Sequence, residues 1–547
     1  VGIMKKIKFN GWALLSTIFM LMIVLPNIDV IVHLFQVPNE NWYHIKEYLL
    51  QDYIKNTITI ALFTGILTMI IGTSLAWLVS AYEFPMRKFF KWALALPLAI
   101  PPYIAAYTYA GMLGYTGGIQ TFLRNKLNME VNQKYFDIMS MEGAIFIFTI
   151  FLLPYVYMVV RAYLEKQAAS LVESARMLGE NAIGVFLRVV VPISRGVIVA
   201  GVTLVVLEVL SDYGVVSYFG IQTFSTAIFK SWFSMSDVDS AIRLAGILIV
   251  GVFIVMTSEK LLRGRKRYSS TNTKVRPLTR KKLTGMKAAL AFLSCFIIFA
   301  LGFLIPTLQL LKWALMSYAK VLNMDFFNLV YNSIWVSGVS SLLVIVMAVI
   351  IGNYTRINNN LLSKLYSKIT LIGYSIPGAV VAITIVLFFV DIDNKMSWLY
   401  KIFDPNAPTL LLSMSLVMLV FAYMIRFLAV GYQSIEGGFE KIGKKFYEAS
   451  RTLGYSRTKT FFRVDLPMIR PAIVSGFALV LVDIIKELPL ALLLRPFNFN
   501  TLATKVFEYA NDEMIVEASV PSLLIILVSF IAIYMLYKVG DKEEGNA

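Results

Sequence analysis

The chain is short of the residues from which soluble enzymes are built. Its 547 residues include one cysteine, Cys295, and that residue lies inside an apolar run, which excludes an internal disulfide and any thiolate-rich metal site. The two histidines, His33 and His44, fall near the end of the first apolar run and read as loop residues rather than metal ligands. Charged residues reach only 15%, against 58% hydrophobic, where soluble domains hold about 45–50% apolar residues. Low-complexity segments are nearly absent. A nucleotide-binding loop of the type Gly-x-x-x-x-Gly-Lys-Ser/Thr is also missing. The nearest string, Gly438-Phe-Glu-Lys-Ile-Gly443-Lys444-Lys445, puts a lysine where a Mg²⁺-binding hydroxyl is needed and follows an apolar run rather than a strand.

What the chain does have is a succession of charge-poor runs of the length that crosses a hydrocarbon core about 30 Å thick. Twelve candidates begin near Trp12, Ile54, Trp92, Ala144, Gly196, Ala241, Ala288, Leu329, Ile369, Pro408, Pro471 and Ala518. They predict an all-α polytopic membrane protein of two pseudo-equivalent six-helix halves. The first half is residues 1–262 and the second 286–547. Between them, 263–285 forms a basic linker that includes Arg263, Arg265, Lys266, Arg267, Lys274, Arg276 and Arg280-Lys-Lys282. The formal charge of +17 sits in short loops and reads as topology rather than nucleic-acid binding. The positive-inside rule places the linker, Lys5-Lys6-Ile7-Lys8 and both termini on the cytoplasmic side. The run from Trp12 has no small-residue cleavage site behind it and reads as a retained helix.

Two polar stretches repeat. Glu173-Ser-Ala-Arg176-Met-Leu178-Gly179 leads to Pro192, and Glu448-Ala-Ser-Arg451-Thr-Leu453-Gly454 leads to Pro467, 275 residues on (448 − 173). From Glu173 to Gly201 twelve of twenty-nine positions are identical, Arg188/Arg463 among them. In each, Glu-x-x-Arg-x-Leu-Gly predicts a short helix stopped by glycine, followed by a second helical stretch re-entering the apolar region. Matched arginines are not needed merely to connect helices, so the pair predicts a duplicated docking surface. Ile100-Pro101-Pro102 aligns with Ser375-Ile376-Pro377 at the same offset, and Asn56-Thr57 resembles Asn332-Ser333 at 276. A repeat across an even number of helices predicts an axis along the membrane normal, with a substrate path along it.

Glu173-Ser-Ala, Gly179, Val189, Val191-Pro192 and Glu448-Ala-Ser, Gly454, Val464, Leu466-Pro467 resemble the signature of the membrane subunits of type I ABC importers: Glu-Ala-Ala, three residues, Gly, nine residues, Ile-x-Leu-Pro. The departures are small-for-small and Val-for-Ile or Leu exchanges. The resemblance narrows with Leu210-Ser-Asp212-Tyr213-Gly, Gln222-Thr-Phe-Ser-Thr, Gly373-Tyr-Ser-Ile-Pro-Gly378, Lys486-Glu-Leu-Pro and Leu494-Arg-Pro-Phe-Asn-Phe-Asn-Thr-Leu-Ala-Thr504. These are similar to the fused, double-length permeases of ferric-iron ABC importers over almost the whole chain. Permeases for 2-aminoethylphosphonate, thiamine or polyamines share much of this layout. The resemblance implies an inner-membrane permease with no catalytic site or cofactor of its own. It also implies two ATP-binding cassette subunits, with their ATP and Mg²⁺, docked at 173–192 and 448–467, and an extracytoplasmic ferric-iron-binding protein. In that reading Glu173, Arg176, Gly179, Arg188, Pro192, Glu448, Arg451, Gly454, Arg463 and Pro467 couple to the ATPases. An ion-coupled secondary transporter is the competing class; it has no use for matched docking loops.

Ionisable groups in a span cost roughly 2.5–3.5 kcal/mol each at the bilayer centre, so four carboxylates stand out. Glu208 and Asp212 follow the first polar segment, and Asp483 and Glu487 follow the second at the same 275 offset. The i, i+4 spacing puts each pair on one face of its helix, where two like charges repel unless a cation or donor intervenes. Two readings stand. In one, these oxygens, with the Tyr213 phenol, line the path and pass a transient Fe³⁺ ion, a hard cation. In the other they pair with Lys486 or Arg495, or cap a helix end.

Overall fold

The computed structural model describes residues 11–129, 131–166, 170–263, 279–358, 360–406, 408–413 and 415–545. The basic linker between residues 264 and 278, including Lys274 and Arg276, and Lys5, Lys6 and Lys8 therefore lie outside the described residues. Helices dominate, and the only sheet among the described residues is a two-residue parallel pairing of Tyr82–Glu83 with Lys281–Lys282. Among the described residues nine helices are long and apolar enough to cross a membrane. Two sharply bent pairs, Arg87–Ala99 with Pro102–Leu127 (89°) and Arg457–Met468 with Arg470–Ile485 (70°), raise this to eleven. Of the twelve runs in the sequence, the ninth is the exception. Its helix, Gly378–Phe403, is apolar for its first thirteen residues and then carries Asp391, Asp393 and Lys395.

The chain forms two compact units, neither of them one contiguous stretch. One is built from residues 44–230, 247–321 and 506–547. Leu50–Ala81 packs along Met141–Lys166, Val191–Ser211 packs on both, and Ile305–Val321 packs on Ile515–Gly545. Phe90, Tyr107, Phe148, Phe151 and Tyr157 are fully buried there. The buried Tyr157 hydroxyl donates to Lys91 O at 3.0 Å.

The other unit comprises residues 1–43, 231–246 and 322–505. Met324–Ile357, Leu416–Ile442 and Arg470–Ile485 repeat the three-helix arrangement, and Gly11–Leu34 packs against Met324–Ile357 and Gly378–Phe403. The packing units therefore cut across the sequence halves, because the first helix of the chain finds its apolar neighbours beyond residue 322.

Small matched residues acquire physical reasons. The Thr57 hydroxyl accepts the Phe224 N–H at 3.3 Å, and the Ser333 hydroxyl accepts the Leu502 N–H at 2.7 Å. The helices starting there are opened by matching Thr pairs, in which Thr226 Oγ1 accepts the Thr223 N–H at 2.8 Å and Thr504 Oγ1 accepts the Thr501 N–H at 2.9 Å, a reciprocal cap for otherwise orphaned donors. Gly201 and Gly476 close the repeat because a Cβ on either would stand 3.0 Å from a neighbouring helix, at Val156 Cα or Ser434 Cβ. The prolines align differently from the sequence reading. Pro101 and Pro377 occupy the same helix-opening position with matching dihedrals (−56°, 141° and −55°, 143°), so the offset there is 276 rather than 275. A one-residue difference separates that block from the later one.

Candidate functional site

The two polar repeats fold alike. Ser170–Met177 and Lys445–Thr452 are short helices, and each ends in a glycine with positive φ, +87° at Gly179 and +85° at Gly454. The Glu180 N–H donates to Ala175 O (3.1 Å) and the Gly179 N–H to Arg176 O (3.2 Å). In the second copy the Tyr455 N–H donates to Ser450 O (3.3 Å) and the Gly454 N–H to Arg451 O (3.1 Å). This pair of bonds is the Schellman stop, which satisfies the last carbonyls and reverses the chain. A new helix then starts on a side-chain cap, with Asn181 accepting the Gly184 N–H at 2.7 Å and Ser456 accepting the Lys459 N–H at 3.2 Å. A π-helical turn follows in each, Val185–Val190 and Phe461–Asp465, just ahead of Pro192 and Pro467.

The helix tips carry apolar side chains with nothing over them. Met177 is 88% exposed, Leu178 85% and Leu453 79%, an arrangement that marks an interaction surface when the rest of the segment is ordered and polar. Around them the charged residues make only surface contacts in the first copy. Glu173 Oε1 accepts from the Thr279 hydroxyl at 3.0 Å, and Arg188 Nη1 meets Glu180 Oε1 at 2.8 Å. In the second, Arg451 donates to the Tyr455 carbonyl, and Lys459 and Arg463 lie over the Tyr455 ring at 4.4 and 6.0 Å. Glu448 stands in the first turn of its helix, as Glu173 does, where a negative charge complements the helix end.

Beneath the second copy lies a contact the sequence reading missed. Arg356 Nη1 meets Asp465 Oδ1 at 2.9 Å, with the carboxylate fully buried, and the same guanidinium donates to Gly443 O and lies over Phe439 at 4.8 Å. Val190 occupies the matching place in the first copy. That exchange of an apolar residue for a carboxylate inside the repeat was the available signal. Gly438 to Lys445 ends a long helix and turns at Gly443 (φ +66°), without a preceding strand.

The four carboxylates are not paired along continuous helices. Val191–Ser211 stops before Asp212, and Arg470–Ile485 stops before Glu487, so the expected shared face is broken between the members of each pair. Asp212 Oδ1 accepts the Val215 N–H at 2.9 Å, and Glu487 Oε1 accepts the Leu490 N–H at 3.3 Å. Each thus caps the short helix that follows. Asp483 meets Lys486 at 2.8 Å, and Glu487 lies 3.6 Å from Arg426 Nε, both side chains over nine-tenths buried. Tyr213 stacks on Phe229, ring centroids 3.6 Å apart. Glu208 is half-buried on its helix. Among the described residues no three His, Cys, Asp or Glu side chains come together as metal ligands.

Many apolar spanning helices, an internal duplication and twin glycine-stopped segments define the membrane-spanning permease of an ABC importer. The family described as "Binding-protein-dependent transport system inner membrane component" matches residues 89–267 and 344–543, and the chain belongs to it. Among its relatives, the Fe(3+)-transport system permease protein FbpB 2 of Haemophilus influenzae is 25% identical over 90% of each chain. The ferric transport system permease protein FbpB of Actinobacillus pleuropneumoniae is 20% identical over 98% of this chain and 79% of its own. A probable sulfate transport system permease protein of Prototheca wickerhamii is 28% identical, over 37% of this chain and 80% of its own.

Proposed function

We propose that the chain is the translocation subunit of an ATP-driven importer that carries ferric iron across the bacterial inner membrane, with both termini in the cytoplasm. The observation that carries the coupling half of this reading is the pair of Schellman-stopped helices with bare apolar tips at Met177, Leu178 and Leu453. Two copies of one surface suit two ATP-binding cassette subunits, which supply ATP and Mg²⁺. An extracytoplasmic ferric-iron-binding protein delivers the cargo on the opposite side. The cargo half rests on the two relatives named for ferric transport, which align along most of the chain, whereas the sulfate relative aligns over 37% of it.

In this reading Glu208, Asp212, Tyr213, Asp483 and Glu487 line the path, and the carboxylates offer hard oxygen ligands to a passing Fe³⁺ ion. In the second pair Asp483 meets Lys486 and Glu487 meets Arg426.

The test is uptake of radiolabelled iron by vesicles holding the chain, its ATPases and the binding protein. Iron uptake that needs ATP, with sulfate, 2-aminoethylphosphonate and thiamine failing to compete, is the expected result. Uptake by the chain alone without ATP would place it among secondary carriers. Glu208→Gln with Glu487→Gln should cut iron uptake at least tenfold while ATP hydrolysis persists; undiminished uptake removes the carboxylates from the path.

A further inference from the structure

A cavity of about 660 Å³ opens where Met324–Ile357 and Leu416–Ile442 end and Leu361–Ile372 begins, next to the second coupling helix. Its walls carry charges of both signs. Lys364 and Lys368 stand one turn apart on one wall, Glu436 and Glu440 one turn apart on another, and Lys444 closes the rim. None of these five side chains forms an ion pair with another. The Tyr432 hydroxyl, which bonds Thr355 Oγ1 at 3.0 Å and Glu436 Oε1 at 3.3 Å, contributes a polar floor.

The first copy handles the matching positions in the opposite way. At the offsets fixed by Pro101/Pro377 and by the helix starts Met141/Leu416, Ser363 corresponds to Arg87, Ser367 to Lys91, Glu436 to Arg161 and Glu440 to Glu165. There the long cations fill the space and close on carboxylates. Lys91 meets Glu165 at 3.5 Å, Arg161 meets Glu165 at 3.1 Å and Arg87 meets Glu83 at 3.0 Å. In the second copy two cations become serines and a third becomes glutamate, so opposite charges face each other across open space. A ligand-sized volume is about 300–1,000 Å³. Unpaired charges of both signs around such a volume call for a ligand that carries both.

We propose that this cavity binds a zwitterion with a phosphate and a primary amine. The phosphate meets Lys364, Lys368 and Lys444, and the amine donates to Glu436 and Glu440. The lipid headgroup phosphoethanolamine and its free soluble form share this chemistry. Occupancy reaches the coupling segment through Arg356, which lines the cavity while holding Asp465 and the Gly443 carbonyl. The site is independent of the cargo.

The full chain in phosphatidylglycerol nanodiscs is titrated with O-phosphoethanolamine, ethanolamine or inorganic phosphate. Parallel discs contain phosphatidylethanolamine or phosphatidylcholine. The thermal midpoint reports ligand that binds the folded state. A saturable rise with O-phosphoethanolamine identifies the soluble source. A rise with phosphatidylethanolamine over phosphatidylcholine, whose amine cannot donate, identifies the lipid. Either response should weaken at least fivefold in Lys364→Ala/Lys368→Ala and in Glu436→Gln. Ser367→Lys restores the first-copy residue and should abolish the response without lowering the ligand-free midpoint. No response in any arm, an equal response to phosphate alone, or full response in Ser367→Lys overturns the proposal.

Discussion

The two glycine-stopped segments of the repeat share one backbone and rest on different foundations. Both turn on a glycine near φ +86° with the same two closing bonds. Beneath the first copy the apolar Val190 is fully buried, whereas beneath the second Asp465 is buried against Arg356. Trp12 adds a further brace to the second alone, edge-on to Phe461 at 4.6 Å and donating to Thr458 Oγ1 at 3.3 Å. The duplication kept the backbone of the exposed segment. What lies beneath the segments was free to diverge, because a buried apolar side chain and a buried ion pair can each hold a helix in place.

The sharpest way to break this comparison is at the foundations. Asp465→Ala leaves the Arg356 charge buried without its partner and should cost roughly 3–5 kcal/mol. Val190→Ala, a loss of volume alone, should cost on the order of 1–2.5 kcal/mol. Chemical denaturation of the purified chain measures both, and equal losses would erase the contrast. Gly179→Val and Gly454→Val should each cost about 1–2 kcal/mol through the left-handed backbone and should depress transport equally. Unequal transport loss would mean that one copy dominates coupling. Trp12→Ala should destabilise by about 0.5–1.5 kcal/mol and raise protease cleavage near Phe461 but not near Phe186. Arg188→Ala removes an exposed pair and should change stability by less than about 1 kcal/mol; any fall in partner ATP hydrolysis then reports docking.

The helical class and the glycine-stopped segments were legible in the sequence because both leave local signatures. Apolar runs mark spans, and Leu-Gly after a polar helix marks a Schellman stop. Thr223 and Thr501, part of the stretches similar to the ferric-iron permeases, cap helices. The buried pairs were not legible. Arg356 reaches Asp465 across 109 residues and Arg426 reaches Glu487 across 61, and no local rule reports such partners. The i, i+4 reading of the carboxylates failed for a related reason. Spacing predicts a shared face only while the helix lasts, and Asp212 and Glu487 both sit just past a helix end. Gly378–Phe403 kept its place as a helix although its aspartates shorten the apolar run, since Asp393 is satisfied by the Tyr400 hydroxyl and by Leu412 and Ser413.

The π turns at Val185–Val190 and Phe461–Asp465 make the segments behave as threads rather than levers. Such a turn stores one residue more than the α-helix it interrupts. Taking up that residue would advance the following helix by about 1.5 Å and rotate it by about 100°. A push on the tip can therefore leave as a twist of Val191–Ser211 or Arg470–Ile485, and the faces those helices show to their neighbours would change without either helix leaving its seat.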